Sequence, residues 1–382
     1  MARQYYDDEP RRPRQGQMSR EEARRREAAR KKKAKRKRKK IILLILEIIL
    51  LLVLGAGAWA ITRGTSVQKV KIKEEDIVMN ETVAENESLK GYRNIALFGV
   101  DARDKSLGKG NRSDTIIIAS INEDTGEIRL CSVFRDTYLN LGNDTYNKCN
   151  AAYAKGGPEQ AINMLNMNLD LNITDYVTVG FTGLSEVIDA LGGVEIDVMD
   201  EEIVHLNNYQ ISMVGKSDDD EHFYATEGKA YTAVTKSGLQ KLNGLQATAY
   251  CRIRYVGNDF QRAERQRTVI AKCLDVAKDS SVTELMSAYD KVTSYVSTSL
   301  DADEIAEIAA NISKYTIVAS DGFPFEEYRD TGRVGSKGSC VIPVDLEKNV
   351  VKLQDFLFDN KEYQASSQVQ TYSSKIASDT GH

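Results

Sequence analysis

The stretch RNIALFGVDARDKSLGKGNRSDTIIIASINEDTGEIRLCSVFRD, residues 93–136, decides the fold. Residues 93–101 and 114–121 are short apolar runs rich in β-branched side chains, so they read as buried strands. EDTGE (123–127) makes a turn, and residues 128–136 return as a third strand that closes a hairpin.

Outward from this stretch, strands and helices alternate, which marks an α/β layered domain. Residues 156–171 repeat apolar side chains at helical spacing with Pro158 at the first helical position. A strand follows over 173–181, a helix over 182–193 that stops at Gly192-Gly193, and another strand over 194–198. Residues 205–238 are polar and aperiodic and read as a long surface loop. QATAYCRIRYV (246–256) has a strand pattern, and 258–279 is a helix opened by an Asn/Asp cap. Amphipathic helices are expected around 283–297 and 301–314, then a strand and a closing helix over 340–358. The globular domain is expected to span 91–360, with 361–382, rich in Ser, Thr and Gln, as a disordered tail.

The formal charge of −4 conceals an asymmetry: residues 1–40 hold 18 Lys/Arg against 6 Asp/Glu, leaving 34 against 50 in the rest. Between these parts lies IILLILEIILLLVLGAGAWAIT (41–62), long enough to cross a bilayer core of about 30 Å. It lacks the layout of a cleaved signal peptide and is expected to be a transmembrane helix. The basic flank orients it with the N-terminus in the cytoplasm and residues 63–382 outside the cell membrane. Residues 1–40 are then a disordered tail that touches anionic membrane lipids, and 63–90 a stalk. A cytoplasmic protein partner and nucleic acid are the competing readings of the tail, under which the protein is a membrane-tethered regulator of envelope gene expression or a sensor of lipid pyrophosphates; no nucleic acid is expected. Cys131, Cys149, Cys251, Cys273 and Cys340 show no CxxC or Cys/His spacing, which argues against zinc and for free, buried thiols.

Several arginines sit where arginine is an odd choice. Strand alternation puts Arg112, Asp114, Ile116 and Ile118 on one side, and Tyr250, Arg252 and Arg254 on one side. Two arginines two residues apart on a strand repel unless an anion lies between them, although an exposed edge also explains them. On the following helix, Arg262, Gln266, Val269, Ile270 and Cys273 form one stripe whose first turn points a cation where later turns point core residues. That cation opposes the helix dipole and calls for a compensating anion. Arg135 with Asp136, and Asp101 with Arg103, add charges at strand ends, where open α/β sheets place ligands. Arginine forks suit phosphate, and carboxylates on neighbouring strands suit a hard cation that bridges phosphate oxygens. A pyrophosphate with Mg²⁺ satisfies both, with Asp101 and Asp114 as metal candidates. Ordinary Arg–Asp surface pairing remains open.

No GxxxxGK[ST] or helix-opening GxGxxG is present, so nucleotide loops receive no support. DTG at 124–126 and 330–332 lacks a preceding apolar strand and reads as two turns, not an aspartic protease. Three histidines, two in the polar loop and one terminal, give little support to a Ser-His-Asp triad.

Seven ordered blocks, NIALFGVDAR, RSDTIIIASI, CSVFRDTYL, YVTVGF, VIDALGGVEIDV, LNGLQATAYCRIR and DFQRAERQR, resemble the LytR-CpsA-Psr (LCP) family across about residues 92–280, with a similar tail to about 360. The resemblance implies a central mixed β-sheet flanked by helices, preceded by one transmembrane helix. It implies a transferase that moves a glycopolymer from an undecaprenyl-pyrophosphate carrier to a peptidoglycan hydroxyl as a phosphodiester, with Mg²⁺, in a Gram-positive-type envelope. Carried over by motif, Asp101 and Asp114 hold the metal. Arg112, Arg135, Arg252, Arg254, Arg262, Arg265 and Gln266 hold the pyrophosphate, and Asp259 is the base. Hydrolysis of a lipid pyrophosphate by water is a third expectation to separate from transfer.

Overall fold

The computed structural model describes residues 72–102, 106–214 and 231–382. The tail, the span at 41–62 and the first part of the expected stalk lie outside these residues. Among the described residues no helix is long and apolar enough to cross a membrane.

The opening stretch forms the centre of the sheet. Strands β1 (Tyr92–Val100), β2 (Ser113–Asn122) and β3 (Glu127–Val133) run antiparallel in sequence, with Gly126 at φ 76° turning the β2–β3 hairpin. After a small hairpin of β4 (Tyr138–Asn140) and β5 (Tyr146–Lys148), β6 (Asp175–Gly180) pairs parallel to β1, and β9 (Val296–Thr298) antiparallel to β6. β10 (Thr316–Phe323), which the sequence pattern did not reveal, pairs parallel to β3. The order β10-β3-β2-β1-β6-β9 is therefore a mixed sheet of six strands.

Strand alternation divides the core. Ala96, Phe98, Val100, Ile116, Ile118, Cys131 and Val133 face one side, against helix α2 (Asn150–Leu169), the helix after the short α1 (Glu81–Ala84). Pro158 opens the second half of that helix after Gly157, whose φ of 73° breaks the first half. Leu97, Ile117 and Leu130 face the other side. That side is covered by α3 (Phe181–Ala190), α4 (Asp200–Val214), α5 (Gly244–Tyr250) and α6 (Asp259–Asp279), after which the chain forms α7 (Val282–Val292) and α8 (Ala302–Ala310). The hairpin of β7 (Val194–Val198) with β8 (Gly238–Leu242) completes the second core. Four cysteines are buried, Cys273 is half-buried, and all five thiols are free, as expected.

Five expectations are corrected. Residues 246–256 are not a strand: Asn243 caps α5 in a reciprocal box with Gln246, and the chain turns after Tyr250. The expected loop at 205–238 contains most of α4, in which Glu202, Leu206, Gln210 and Val214 are buried at i, i+4 spacing, and its last residue begins β8. Gln210 sits on the buried face and donates to the Thr232 carbonyl, so the polar composition concealed an inward stripe. The expected disordered end forms α10 (Ser367–Thr380), which follows α9 (Leu346–Phe358) and buries Val369, Tyr372 and Ile376 in the main core. Ser366 caps it, and the Ser366 N–H donates to the buried Asp170 carboxylate at 2.8 Å. Residues from about 77 belong to the domain, not a stalk, since Val83 and Leu89 enter the core and Asn80 donates to Asp170 at 2.5 Å. The second DTG lies in strand β11 (Arg329–Arg333), which pairs with β12 (Ser339–Pro343).

Gly244 is where α5 meets α3, and its N–H donates to Asp189 at 2.7 Å. A Cβ there would lie 1.9 Å from the Ser185 carbonyl oxygen. Gly244→Ala is expected to force the helices apart and lower stability by about 1–3 kcal/mol, read as an earlier urea midpoint.

Candidate active site

Between the sheet and the helices of the second side lies a cavity of about 360 Å³. Its walls are apolar: Leu97 and Ile117 from β1 and β2, Val177 and Val179 from β6, Leu184 from α3, and Val269 and Ile270 from α6. Its lining changes character where charged groups gather, with Asp101 after β1, Asp114 at the start of β2, Arg252 and Arg254 after α5, and Arg262 and Gln266 on α6. The same cavity is therefore oily along the strands and ionic near their ends, a form that suits an amphiphilic anion.

The stripe expected on 258–279 is present. Arg262, Gln266, Val269 and Ile270 all line the cavity, and Asn258 caps the helix by accepting from the N–H groups of Phe260 and Gln261. Arg252 and Arg254 also converge there, although not by strand parity: they sit on the turns after α5. The Arg252 guanidinium lies 4.2 Å from the ring centre of Phe181 and 5.2 Å from that of Tyr209. Neither aromatic had a signal in the sequence, because Tyr209 fell in the segment read as loop and Phe181 at a strand end.

The charges form one network. Arg135 Nη1 meets Asp114 at 2.9 Å and its Nε meets Asp259 at 3.2 Å. Arg254 reaches Asp114 at 3.4 Å, and Arg262 reaches Asp259 at 3.5 Å and the Asp114 carbonyl at 3.3 Å. Three guanidiniums thus gather around Asp114 and Asp259, with Asp136, which also pairs with Lys148, 4.0 Å from Arg135. Burial works to lower the Arg135 guanidinium, but Asp114 and Asp259 outweigh it and hold it above its ordinary value. Arg262 goes the other way. Burial, joined by the charge of Arg135, pushes it down to about 10, and Asp259 and Asp114 only partly compensate. The residue is 4% exposed and its buried Nε has no hydrogen-bond partner. A buried cation with an unused donor is a group held ready for an anion.

Two expected residues lie elsewhere. Arg112 is exposed and does not line the cavity; its carbonyl accepts from the Asp101 N–H at 3.3 Å. Arg265 is buried in an ion pair with the fully buried Glu202 at 2.6 Å, and it also donates to the carbonyls of Ile253 and Val256. It supports the turns that carry Arg252 and Arg254 instead of lining the cavity.

The fold and the cavity define a class: an α/β domain that opens an apolar chamber onto an arginine–carboxylate cluster. The chain belongs to the LytR-CpsA-Psr family, whose model matches residues 60–347. Over 222 residues it is 32% identical to the polyisoprenyl-teichoic acid–peptidoglycan teichoic acid transferase TagU of Enterococcus faecalis, which covers 56% of this chain and 64% of that protein. The chain thus matches somewhat less than two thirds of that relative's length. The crystal structure of Bacillus subtilis TagV is 27% identical and superposes with a TM-score of 0.54, covering 70% of this chain and 98% of that one. The family protein YwtF (TagT) with bound octaprenyl pyrophosphate lipid shares the fold, with 20% identity, a TM-score of 0.51, and 71% and 92% coverage.

Proposed function

We propose that this protein transfers a glycopolymer from a polyprenyl-pyrophosphate carrier to a peptidoglycan hydroxyl, forming a phosphodiester. The observation that carries the reading is a cavity that joins hydrocarbon walls to a guanidinium cluster, which matches a donor that is a hydrocarbon chain ending in a pyrophosphate. The relative TagU is named for such a transfer, and TagT was solved with octaprenyl pyrophosphate.

In this reading the prenyl chain lies along Leu97, Ile117, Val177 and Val179, and the pyrophosphate is held by Arg252, Arg254, Arg262 and Gln266. An acceptor hydroxyl attacks the sugar-proximal phosphorus. Its proton passes to the Asp259 carboxylate, the bond from that phosphorus to the bridging oxygen breaks, and polyprenyl phosphate leaves with the bonding pair. Asp259 is the first residue of α6. Arg135 fixes Asp259 and Asp114 together. Guanidiniums already oriented by neighbouring carboxylates stabilise the charge that develops without further reorganisation.

Asp101 and Asp114 both line the cavity, and among the described residues no group of three or more His, Cys, Asp or Glu is assembled for a metal. Asp101 and Asp114 would hold Mg²⁺, a hard cation suited to carboxylate oxygens. When bound there it would neutralise phosphate charge. The span at 41–62 would keep the domain beside its lipid donor, with the basic tail on anionic lipids at the cytoplasmic face.

The test is transfer from a lipid-linked polymer to wall glycan by the full chain in vesicles. Arg254→Ala and Asp114→Ala, each shown to be folded, are expected to slow transfer at least about 100-fold. Transfer at the wild-type rate in either variant overturns the reading.

A further inference from the structure

A second cleft, of about 530 Å³, lies on the far side of the start of α6 from the prenyl cavity. Its volume falls within the roughly 300–1,000 Å³ of small-ligand sites. Asn258, Phe260, Gln261 and Glu264 contribute from the cap and first turns of α6, and Asp321 and Arg329 from the β10–β11 side.

The cleft adjoins the reacting groups. Phe260 follows Asp259 directly in the chain, and its ring packs edge-on against Phe134 at 4.5 Å. Phe134 lines this cleft and also the small polar space shared by Asp114, Arg135, Asp259 and Arg262. The aromatic pair is thus the partition between the cleft and Asp259.

The chemistry of the cleft is unlike that of the prenyl cavity. Its carboxylates, Glu264, Asp321, Glu326 and Asp330, outnumber its guanidiniums, Arg267 and Arg329, so a second phosphate would be repelled. Arg329 lies 3.9 Å from the Phe260 ring centre and donates to the Pro324 carbonyl, which orients its fork. Arg267 donates to Ser132 at 2.8 Å, while its buried Nε has no hydrogen-bond partner. The result is a polar surface rich in acceptors, with a few fixed donors. A neutral ligand dense in hydroxyls and amides satisfies such a surface without bringing a charge.

We propose that this cleft binds the acceptor as a neutral N-acetylated saccharide strand and delivers one hydroxyl past Phe134 and Phe260 to Asp259. The inference rests on the transfer reading for its biological role, but saccharide binding is measurable without any transfer.

The test titrates the full chain in detergent with tetra-N-acetylchitotetraose, and separately with octaprenyl pyrophosphate. The wild type is expected to bind the saccharide, and the double variant Glu264→Gln/Asp321→Asn, both at exposed positions, is expected to bind it at least 10-fold more weakly. Arg254→Ala is expected to lose octaprenyl pyrophosphate affinity and keep saccharide affinity. No saccharide binding by the wild type, or equal binding by the double variant, overturns the acceptor cleft. Failure of the donor reading appears in the other titration, as absence of octaprenyl pyrophosphate binding while the saccharide still binds.

Discussion

Arg262→Met is expected to separate stability from function, leaving the fold as stable as the wild type or more so while weakening octaprenyl pyrophosphate binding about 10- to 150-fold. The functional loss follows from removing charge-assisted hydrogen bonds to the donor, each worth about 1.5–3 kcal/mol. The stability effect has the opposite sign. The folded protein pushes this guanidinium down to about 10, well below its ordinary value. For a basic group that shift means the charged form is penalised in the folded state. The penalty is fully present below about 10 and is relieved only as pH rises through that value toward the ordinary one, so at neutral pH the group remains charged and strained. Methionine fills similar space without a charge, which removes the penalty. Urea midpoints and a lipid titration check the two halves. Unchanged lipid affinity would show that Arg262 has no part in holding the pyrophosphate.

Glu202→Gln is expected to produce the largest loss of stability among single polar substitutions, about 3–5 kcal/mol, because it leaves the Arg265 charge buried without its counter-ion. Glu202 is fully buried and its carboxylate lies 2.6 Å from Arg265. For a domain of this size the melting temperature should fall by on the order of 10 °C. The paired substitution Glu202→Leu/Arg265→Met removes both charges and should recover most of that loss, since apolar replacements of buried ion pairs are often neutral or stabilising. Donor affinity should not recover with it. Arg265 also donates to the carbonyls of Val256 at 2.9 Å and Ile253 at 3.4 Å, and those residues flank the backbone that carries Arg252 and Arg254. A stable double variant with wild-type lipid affinity would refute a positioning role for Arg265.

The pair also shows why the site was only partly legible in sequence. Arg262 and Gln266 were found because helical periodicity is local: residues four apart share a face wherever the helix packs. Arg252 and Arg254 were assigned to the site by a strand that does not exist. They reach the cavity because the Asn243–Gln246 capping box starts a helix that ends at Tyr250 and releases them onto a turn. Arg265 carries the same residue type one position before Gln266, yet its direction on the helix takes it to Glu202. Arg112 is one strand position before Ser113, yet it remains at the surface. Residue type alone does not distinguish a ligand-holding arginine from a loop-holding one; the partner does.

The sequence by itself determined the alternation of strands and helices, the β2–β3 hairpin, the α6 stripe and the arginine-rich blocks that mark the family, because each depends on neighbours within a few residues. Tertiary structure alone decided that β10 joins β3 and that residues 369, 372 and 376 complete the core. It also decided that Phe181 and Tyr209 frame Arg252 and that Arg265 turns to Glu202. Those outcomes depend on groups separated by tens to hundreds of positions, and their energies come from burial and charge pairing that exist only once the chain has closed.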